Sequence, residues 1–109
     1  MNINEINTTA DDICEIMTLL SNRSRLMILC LLTEGEKSVG ELAEAIGSRD
    51  TAVSQQLAVL RRERIVKARR EGQTMFYRIM RDDIGQILAF LYDTYCGEAA
   101  ALKLKESDQ

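Results

Sequence analysis

The hydrophobic positions of this chain repeat mostly at helical spacing, and one short region repeats at strand spacing. A first helix is predicted at about 9–20, because apolar residues fall there on one face: Ile13, Ile16, Met17 and Leu20. A second helix is predicted at about 23–34, since residues 26–32 are apolar on every side and suit the buried centre of a domain. The polar residues 1–7 are predicted to be frayed.

Two further helices are predicted to be joined by a tight turn. Ser38 and Glu41 form the pattern of a capping box at the start of a third helix, and Gly47-Ser48 supply the turn that follows it. The next helix spans about 49–62 and presents one narrow apolar stripe, formed by Val53, Leu57 and Leu60. Two helices with this connection, the second polar on its outer face, predict a helix-turn-helix.

The outer face of the helix at 49–62 carries side chains suited to DNA. Hydroxyls and amides can bond base edges, a small alanine allows close approach to a groove, and arginines suit phosphates. The predicted DNA contacts of this helix are Arg49, Thr51, Ala52, Ser54, Gln55 and Arg62. Considered alone, the same face is also typical of an ordinary solvated helix surface.

Two β-prone runs follow the helix-turn-helix. Residues 65–70 and 74–79 flank a glycine-containing turn, which predicts a β-hairpin. The predicted DNA contacts near its tip are Arg69, Arg70 and Gln73. A helix-turn-helix followed by a basic hairpin is a winged helix, although a hairpin by itself is more often plain structural sheet.

A last helix is predicted over about 82–105, beginning at two carboxylates that suit a positive helix N-terminus. Its apolar stripe is predicted to form a twofold dimer surface with the first helix: Ile84, Leu88, Leu91 and Tyr95, then Leu102. The sequence therefore predicts one domain over residues 1–109, ordered from about 9 to 105. A chain of this size buries more apolar surface by pairing, so a homodimer is expected. The expected fold is mostly α-helical with a β-hairpin wing: four helices, two strands and a final helix.

The net charge of −3 is distributed unevenly along the chain. Residues 49–81 hold nine basic and three acidic side chains, a net charge of +6, whereas the rest of the chain is acidic. A basic patch on an acidic body attracts phosphate, which favours double-stranded DNA as a partner. No apolar run reaches the ~18 residues of a membrane helix and no signal-peptide pattern is visible. We therefore expect a cytoplasmic location and no membrane association.

Side chains that catalysis commonly uses are scarce. The chain has no histidine, which removes the usual general base and the commonest nitrogen ligand of metals. Its three cysteines are expected to be thiols in a reducing cytosol. Cys30 alone is typical of a small buried hydrophobe, and Cys14 is expected to serve in packing. We expect no enzyme, no cofactor and no resident metal.

Three stretches of the chain resemble the ArsR/SmtB family of dimeric winged-helix repressors, over about residues 10–97. They are Arg25-Leu26-Met27-Ile28-Leu29-Cys30, Ser38-Val39-Gly40-Glu41-Leu42 and Gln73-Thr74-Met75-Phe76-Tyr77-Arg78. Within that family the chain is most similar to the BigR/SqrR/HlyU branch, whose members carry one cysteine in the second helix and one in the last. Cys30 and Cys96 match these positions.

The resemblance implies a repressor that senses reactive sulfur species (persulfide or polysulfide) or oxidants. The Cys30 and Cys96 thiols become linked, and the homodimer then releases an operator with an inverted repeat. The chain has Arg49-Asp50-Thr51 where many relatives enter the recognition helix differently. Because these residues face DNA, the operator sequence does not follow from the resemblance.

Two other functions stay open at this point. The thiolates of Cys30 and Cys96, with or without Cys14, can bind a thiophilic ion such as As(III) or Hg(II), which would make the chain a metal-sensing repressor. A dithiol redox enzyme or carrier belongs to a different class. It needs an activated, exposed thiolate, commonly at a helix N-terminus or in Cys-X-X-Cys, and neither pattern is present.

Overall fold

The structure is a computed structural model that describes residues 1–97. Its elements, in chain order, are α1 (Ile3–Leu20), α2 (Arg23–Leu32), β1 (Lys37–Ser38), α3 (Val39–Ile46), α4 (Asp50–Arg62), β2 (Val66–Glu71), β3 (Thr74–Ile79) and α5 (Asp82–Tyr95). Helices α3 and α4 form the helix-turn-helix, and β2 and β3 form the wing. This arrangement confirms the mostly α-helical winged helix-turn-helix predicted from the sequence.

Helix α1 is longer than predicted, because it begins at Ile3 rather than near residue 9. The Asn2 side chain accepts a hydrogen bond from the Asn4 amide at 2.9 Å and so caps the helix. The Thr8 and Thr9 hydroxyls donate to carbonyls one turn earlier. The prediction of a frayed 1–7 was therefore wrong, since periodicity cannot detect a helical turn that is polar on most sides.

Helix α5 is shorter than predicted, because it ends at Tyr95 rather than near residue 105. The amides of Cys96 and Gly97 both donate to the Tyr92 carbonyl, at 2.7 and 3.0 Å. This pattern ends the helix by satisfying a carbonyl of its last turn. A single helix over 82–105 was therefore wrong, and Leu102 lies outside the described residues.

The wing contains a strand that the sequence did not predict. Strand β1 pairs antiparallel with β3, with Lys37 opposite Tyr77 and Ser38 opposite Phe76. The strand order is β1-β3-β2, so β3 is the central strand and β2 lies at the far edge. A strand of two residues is too short to show a pattern. It fastens the wing to the segment between α2 and α3.

The start of α3 and the turn after it follow the predicted local chemistry. The Ser38 hydroxyl accepts from the Glu41 amide at 3.2 Å, and the Glu41 carboxylate accepts from the Ser38 amide at 3.0 Å. These bonds complete the capping box and hold the pKa of Glu41 below its usual value. Gly47 ends α3 with a φ of +76°, in the left-handed region that favours glycine.

One hydrophobic core joins the helices to the base of the wing. Val53, Leu57 and Leu60 of α4 have no solvent exposure, which confirms the predicted inner stripe. The other residues of this core are Leu20, Ile28, Leu29, Leu32, Leu42, Ala43, Ile65, Val66, Ile84 and Leu88. Helix α2 lies at the centre, but its Leu26, Met27 and Leu31 are only half-buried, so the prediction of burial on every side was too strong. Because α4 and β2 share this core, the recognition helix and the wing are fixed to one body.

The predicted dimer stripe on α5 was wrong for two of its residues. Ile84 and Leu88 are 0% and 1% exposed within a single chain, so they belong to the chain's own core. Leu91 is half-buried, and Tyr95 is exposed. The large apolar side chains that α1 and α5 leave exposed are Ile3, Ile13, Met17, Phe90, Tyr92 and Tyr95. Periodicity identified the apolar face of α5 but not which chain covers it.

Candidate DNA interface and thiol pair

Helix α4 presents a polar face that the core leaves in solvent. The side chains predicted to contact DNA from this helix are all exposed: Arg49, Thr51, Ala52, Ser54, Gln55 and Arg62. Arg49 is the N-cap residue and makes no side-chain cap hydrogen bond within residues 1–97. The first-turn amides of α4 therefore remain available to an anion such as a phosphate. The structure brings these residues onto one accessible surface, and their contact with DNA stays a prediction.

The position of α4 is fixed by hydrogen bonds that the sequence did not predict. Arg25 Nε donates to the Leu19 carbonyl at 2.8 Å, and Arg25 Nη1 donates to Gln56 Oε1 at 3.3 Å. Arg25 of α2 therefore connects the end of α1 with α4. Gln56 is half-buried in this contact, whereas the neighbouring Gln55 is exposed. Arg25 and Gln56 are 31 positions apart, and no local pattern connects them.

The wing tip exposes two of its predicted contact residues. Gly72 has a φ of +62° and allows the tight turn between β2 and β3. Arg70 and Gln73 flank this turn and are exposed, and Arg70 Nε donates to the Gly72 carbonyl at 3.0 Å. The other nitrogens of the Arg70 guanidinium can still donate to a phosphate.

Arg69 has a different environment, because its guanidinium is bound to carboxylates of the protein. Arg69 Nε donates to the two carboxylate oxygens of Glu36 at 3.1 and 3.2 Å, and Arg69 Nη1 donates to Glu71 at 2.8 Å. The guanidinium carbon lies 4.9 Å from the centre of the Phe76 ring. These bonds hold the pKa of Glu36 below its usual value and the pKa of Arg69 above it. The sequence did not predict these partners for Arg69.

The ion pairs reduce the basic patch that the sequence suggested. Arg69 is compensated by Glu36 and Glu71, and Arg81 pairs with Asp83. Glu36 lies outside 49–81, so counting charges along the chain could not include it. Besides Arg69, the exposed basic side chains around the end of α4 and on the wing are Arg61, Arg62, Arg64, Lys67, Arg70 and Arg78. Positive charge therefore remains beside the recognition helix.

Two of the three cysteines, Cys30 and Cys96, are close enough for the charge of one thiol to act on the other. Cys30 is half-buried on α2, and Cys96 is exposed at the C-cap of α5. Burial raises the pKa of the Cys30 thiol, and the charge of the neighbouring Cys96 raises that pKa further. Cys14 is exposed on α1 and takes no part in the core of this chain, so its expected role in packing stays a prediction.

Within residues 1–97, no three side chains of His, Cys, Asp or Glu are grouped so that they could share a metal ion. A site that uses all three thiolates therefore has no counterpart in this part of the chain. No helix over the same range has the length and hydropathy needed to cross a membrane.

An exposed polar helix and a glycine-turned wing on one core define a winged helix-turn-helix DNA-binding protein. Comparison with known families gives the particular group. Residues 22–68 match the family described as bacterial regulatory protein, arsR family. The chain is also 40% identical over 89 residues to the Biofilm growth-associated repressor of Xylella fastidiosa, covering 82% of this chain and 78% of that relative. This chain belongs to the arsR family of bacterial regulatory proteins.

Solved structures agree with this assignment. The transcriptional repressor BigR from Xylella fastidiosa superposes with a TM-score of 0.83 at 38% identity, covering 88% of this chain and 98% of that one. Reduced HlyU from Vibrio cholerae gives 0.79 at 35% identity, covering 84% and 97%. A homodimeric winged helix-turn-helix domain from Mycobacterium bovis gives 0.67 at 35% identity, covering 78% and 79%. The resemblance to the ArsR family, and to its branch with BigR and HlyU, is confirmed.

Replacing Gln55 with alanine is expected to reduce discrimination between the preferred operator and a base-substituted operator by about 1–3 kcal/mol, because the exposed amide would no longer bond a base edge. Fluorescence anisotropy with duplexes selected from a random pool measures both affinities. Gln86→Ala on α5 is the matched control, since it removes an exposed amide away from α4. Equal discrimination by Gln55→Ala and Gln86→Ala would remove Gln55 from the base contacts.

Replacing Arg70 with glutamine is expected to weaken binding to all duplexes and to reduce the slope of log affinity against log salt by about one unit, because one phosphate contact is lost. The measurement is a titration of operator and random duplex at several salt concentrations. A variant with the slope of the unmodified protein would show that the wing tip does not contact phosphate.

Proposed function

We propose that this chain is a homodimeric transcriptional repressor that binds an inverted-repeat operator and releases it when Cys30 and Cys96 become covalently linked. The observation that carries the proposal is the thiol pair itself, in which Cys96 contributes to the raised pKa of Cys30. The Biofilm growth-associated repressor of Xylella fastidiosa supports the direction of control. HlyU from Vibrio cholerae is described as an activator, so relatives of this chain act in both directions.

The homodimer is supported by the apolar side chains that one chain leaves exposed. Ile13 and Met17 on α1, and Phe90, Tyr92 and Tyr95 on α5, are each at least 44% exposed. Large apolar groups in such numbers mark a protein–protein contact. The homodimeric domain from Mycobacterium bovis supports the same state. A twofold dimer would set the two α4 helices about 34 Å apart, one turn of DNA.

The linking chemistry requires a donor with a sulfane sulfur, such as a persulfide. The Cys96 thiolate attacks this sulfur, a persulfide forms on Cys96, and the thiol of the donor leaves. The Cys30 thiolate then attacks Cys96 Sγ, and hydrosulfide leaves with the two electrons that the thiols have lost. A second sulfane sulfur added before this closure would leave a longer bridge. Cys96 acts first in this scheme because it is exposed, whereas Cys30 is half-buried with a raised pKa.

The link between Cys30 and Cys96 reaches DNA binding through α2. Cys30 and Arg25 are on the same helix, and Arg25 donates to Gln56 of α4. A bridge that pulls α2 toward the end of α5 therefore shifts the support of the recognition helix. A coupling of about 1.4–3 kcal/mol suffices, since it changes affinity some 10–150-fold.

The experiment treats the reduced protein on its operator with polysulfide and, separately, with peroxide. Intact-mass spectrometry and operator binding are followed in the same samples. We expect polysulfide to produce the bridged mass together with release, and peroxide to act more slowly. Release by polysulfide without any change in mass would contradict the proposal.

A further inference from the structure

We propose that Arg69 positions the wing instead of contacting DNA, and that it does so by bonding to Glu36 across the whole sheet. The residues of this wing clamp are Glu36, Arg69, Glu71 and Phe76. The inference rests on the DNA-binding part of the proposed function and is independent of the thiol chemistry. It assigns a role in operator specificity to Glu36, an acidic residue outside the recognition helix.

The hydrogen bonds of Arg69 use three of its five N–H donors and place two carboxylates beside its positive charge. Three of its nitrogens donate to carboxylates: Nε and Nη2 to Glu36, and Nη1 to Glu71. Bidentate arginine–carboxylate pairs have a fixed geometry as well as a charge attraction. The side chains of Glu36 and Arg69 are 29% and 50% exposed, so the carboxylate is the more sheltered partner of the pair. A phosphate that approaches the two remaining Nη hydrogens of Arg69 would meet the negative charge of both carboxylates.

The clamp crosses all three strands. Ser38 of β1, Phe76 of β3 and Arg69 of β2 lie in one row of the sheet register. Arg69 starts on the edge strand β2, passes over the ring of its cross-strand neighbour Phe76, and reaches Glu36 just before β1. Glu36 belongs to the segment between α2 and β1, which is part of the helical body. Strand β2 is thus connected to the helical body by the Arg69 side chain as well as by the backbone hydrogen bonds of the sheet.

This connection matters because the wing tip and α4 must contact the same operator at the same time. Val66 at the base of β2 is buried in the core, whereas Arg70 and Gln73 at the tip are exposed. A change in the twist of the sheet displaces the tip more than the base. By fixing the far strand, the clamp sets the distance between Arg70 and the face of α4. Contacts that require both surfaces then depend on Glu36.

The two roles of Arg69 predict opposite effects of removing Glu36. If Glu36 only neutralised a DNA-contacting arginine, Glu36→Gln would strengthen binding to every duplex and increase its salt dependence. If Glu36 holds the wing, the same change would weaken operator binding relative to random duplex. Glu34→Gln is a matched control, because Glu34 is in the same segment and, within residues 1–97, forms its ion pair with Lys37 rather than with Arg69.

The experiment measures the affinity of reduced protein for operator and random duplex over a range of salt concentrations. We expect Glu36→Gln to lower the ratio of operator to random affinity about 3–10-fold relative to Glu34→Gln. Arg69→Lys should lower it as much as Arg69→Gln, since lysine keeps the charge but not the planar fork or its stacking on Phe76. The salt slope of Arg69→Gln should equal that of the unmodified protein. A slope reduced by about one unit, and restored by Arg69→Lys, would overturn the proposal.

A second readout does not require DNA. Hydrogen exchange of the β2 and β3 amides should be faster in Glu36→Gln and Arg69→Lys than in Glu34→Gln, because the wing loses a tie to the body. Circular dichroism confirms that each variant is folded. Equal exchange in the three variants would refute the clamp. Failure of the unmodified protein to prefer any duplex would instead refute the DNA-binding function, which separates the two conclusions.

Discussion

A chain carrying Leu88→Asp is expected not to fold. Leu88 is 1% exposed in the core that joins α5 to the rest of the chain. A carboxylate at this position would have no partner, since the described core contains no buried polar or charged side chain. Burying an unpaired charge costs several kcal/mol, which is comparable with the total stability of a domain, about 5–15 kcal/mol. Thermal unfolding followed by circular dichroism tests this result.

The matched variant Tyr95→Asp is expected to fold but to become a monomer. Tyr95 is 73% exposed at the end of α5, beside the other exposed apolar side chains of that helix. Aspartate there leaves the core intact and places charge in the proposed twofold contact. Sedimentation at micromolar concentration reports the state, with Ala45→Asp on α3 as an exposed control. A Tyr95→Asp protein that remains dimeric would contradict the position of the interface, and a folded Leu88→Asp protein would contradict the core assignment.

Cys30→Ser and Cys96→Ser are each expected to abolish release of the operator by polysulfide while preserving binding by the reduced protein. Each variant lacks one of the two thiols that a bridge requires, and neither residue lies on α4 or the wing. Cys14→Ser is the control, since it removes an exposed thiol of α1 that the bridge does not use. Anisotropy before and after treatment measures the response.

If polysulfide released the operator from Cys30→Ser or from Cys96→Ser as fully as from the unmodified protein, the bridge between Cys30 and Cys96 would be excluded. Release by Cys30→Ser together with loss of response in Cys14→Ser would point to Cys14 as the second thiol. Release by all three variants would indicate an inducer that acts without these thiols.

The parts of the fold that depend on neighbouring residues could be predicted from the sequence. The buried stripe of Val53, Leu57 and Leu60 follows from the period of a helix, and it also identifies the exposed face with Gln55. The capping box at Ser38 depends on side chains three positions apart. Periodicity also found the apolar face of α5. It could not tell that Ile84 and Leu88 are covered by the same chain, because an apolar stripe does not specify its partner.

The parts that depend on distant contacts could not be predicted in this way. The Arg25–Gln56 and Glu36–Arg69 pairs join residues 31 and 33 positions apart, and both depend on how the elements pack. Counting charges therefore overestimated the basic patch, since it could not include the carboxylate of Glu36. The pairing of Cys30 with Cys96 came from the family resemblance, because the number of residues between two cysteines does not show whether their thiols are close in the fold.

A covalent bridge between Cys30 and Cys96 is proposed to lower the affinity for DNA, and this effect can be measured on the bridged protein itself. The bridged species is purified after polysulfide treatment, its operator affinity is measured, and the same sample is measured again after reduction with a dithiol. Bridging is expected to weaken binding about 10–150-fold, and reduction is expected to restore it fully. Equal affinity before and after reduction, with the bridge verified by mass, would exclude this mechanism of release.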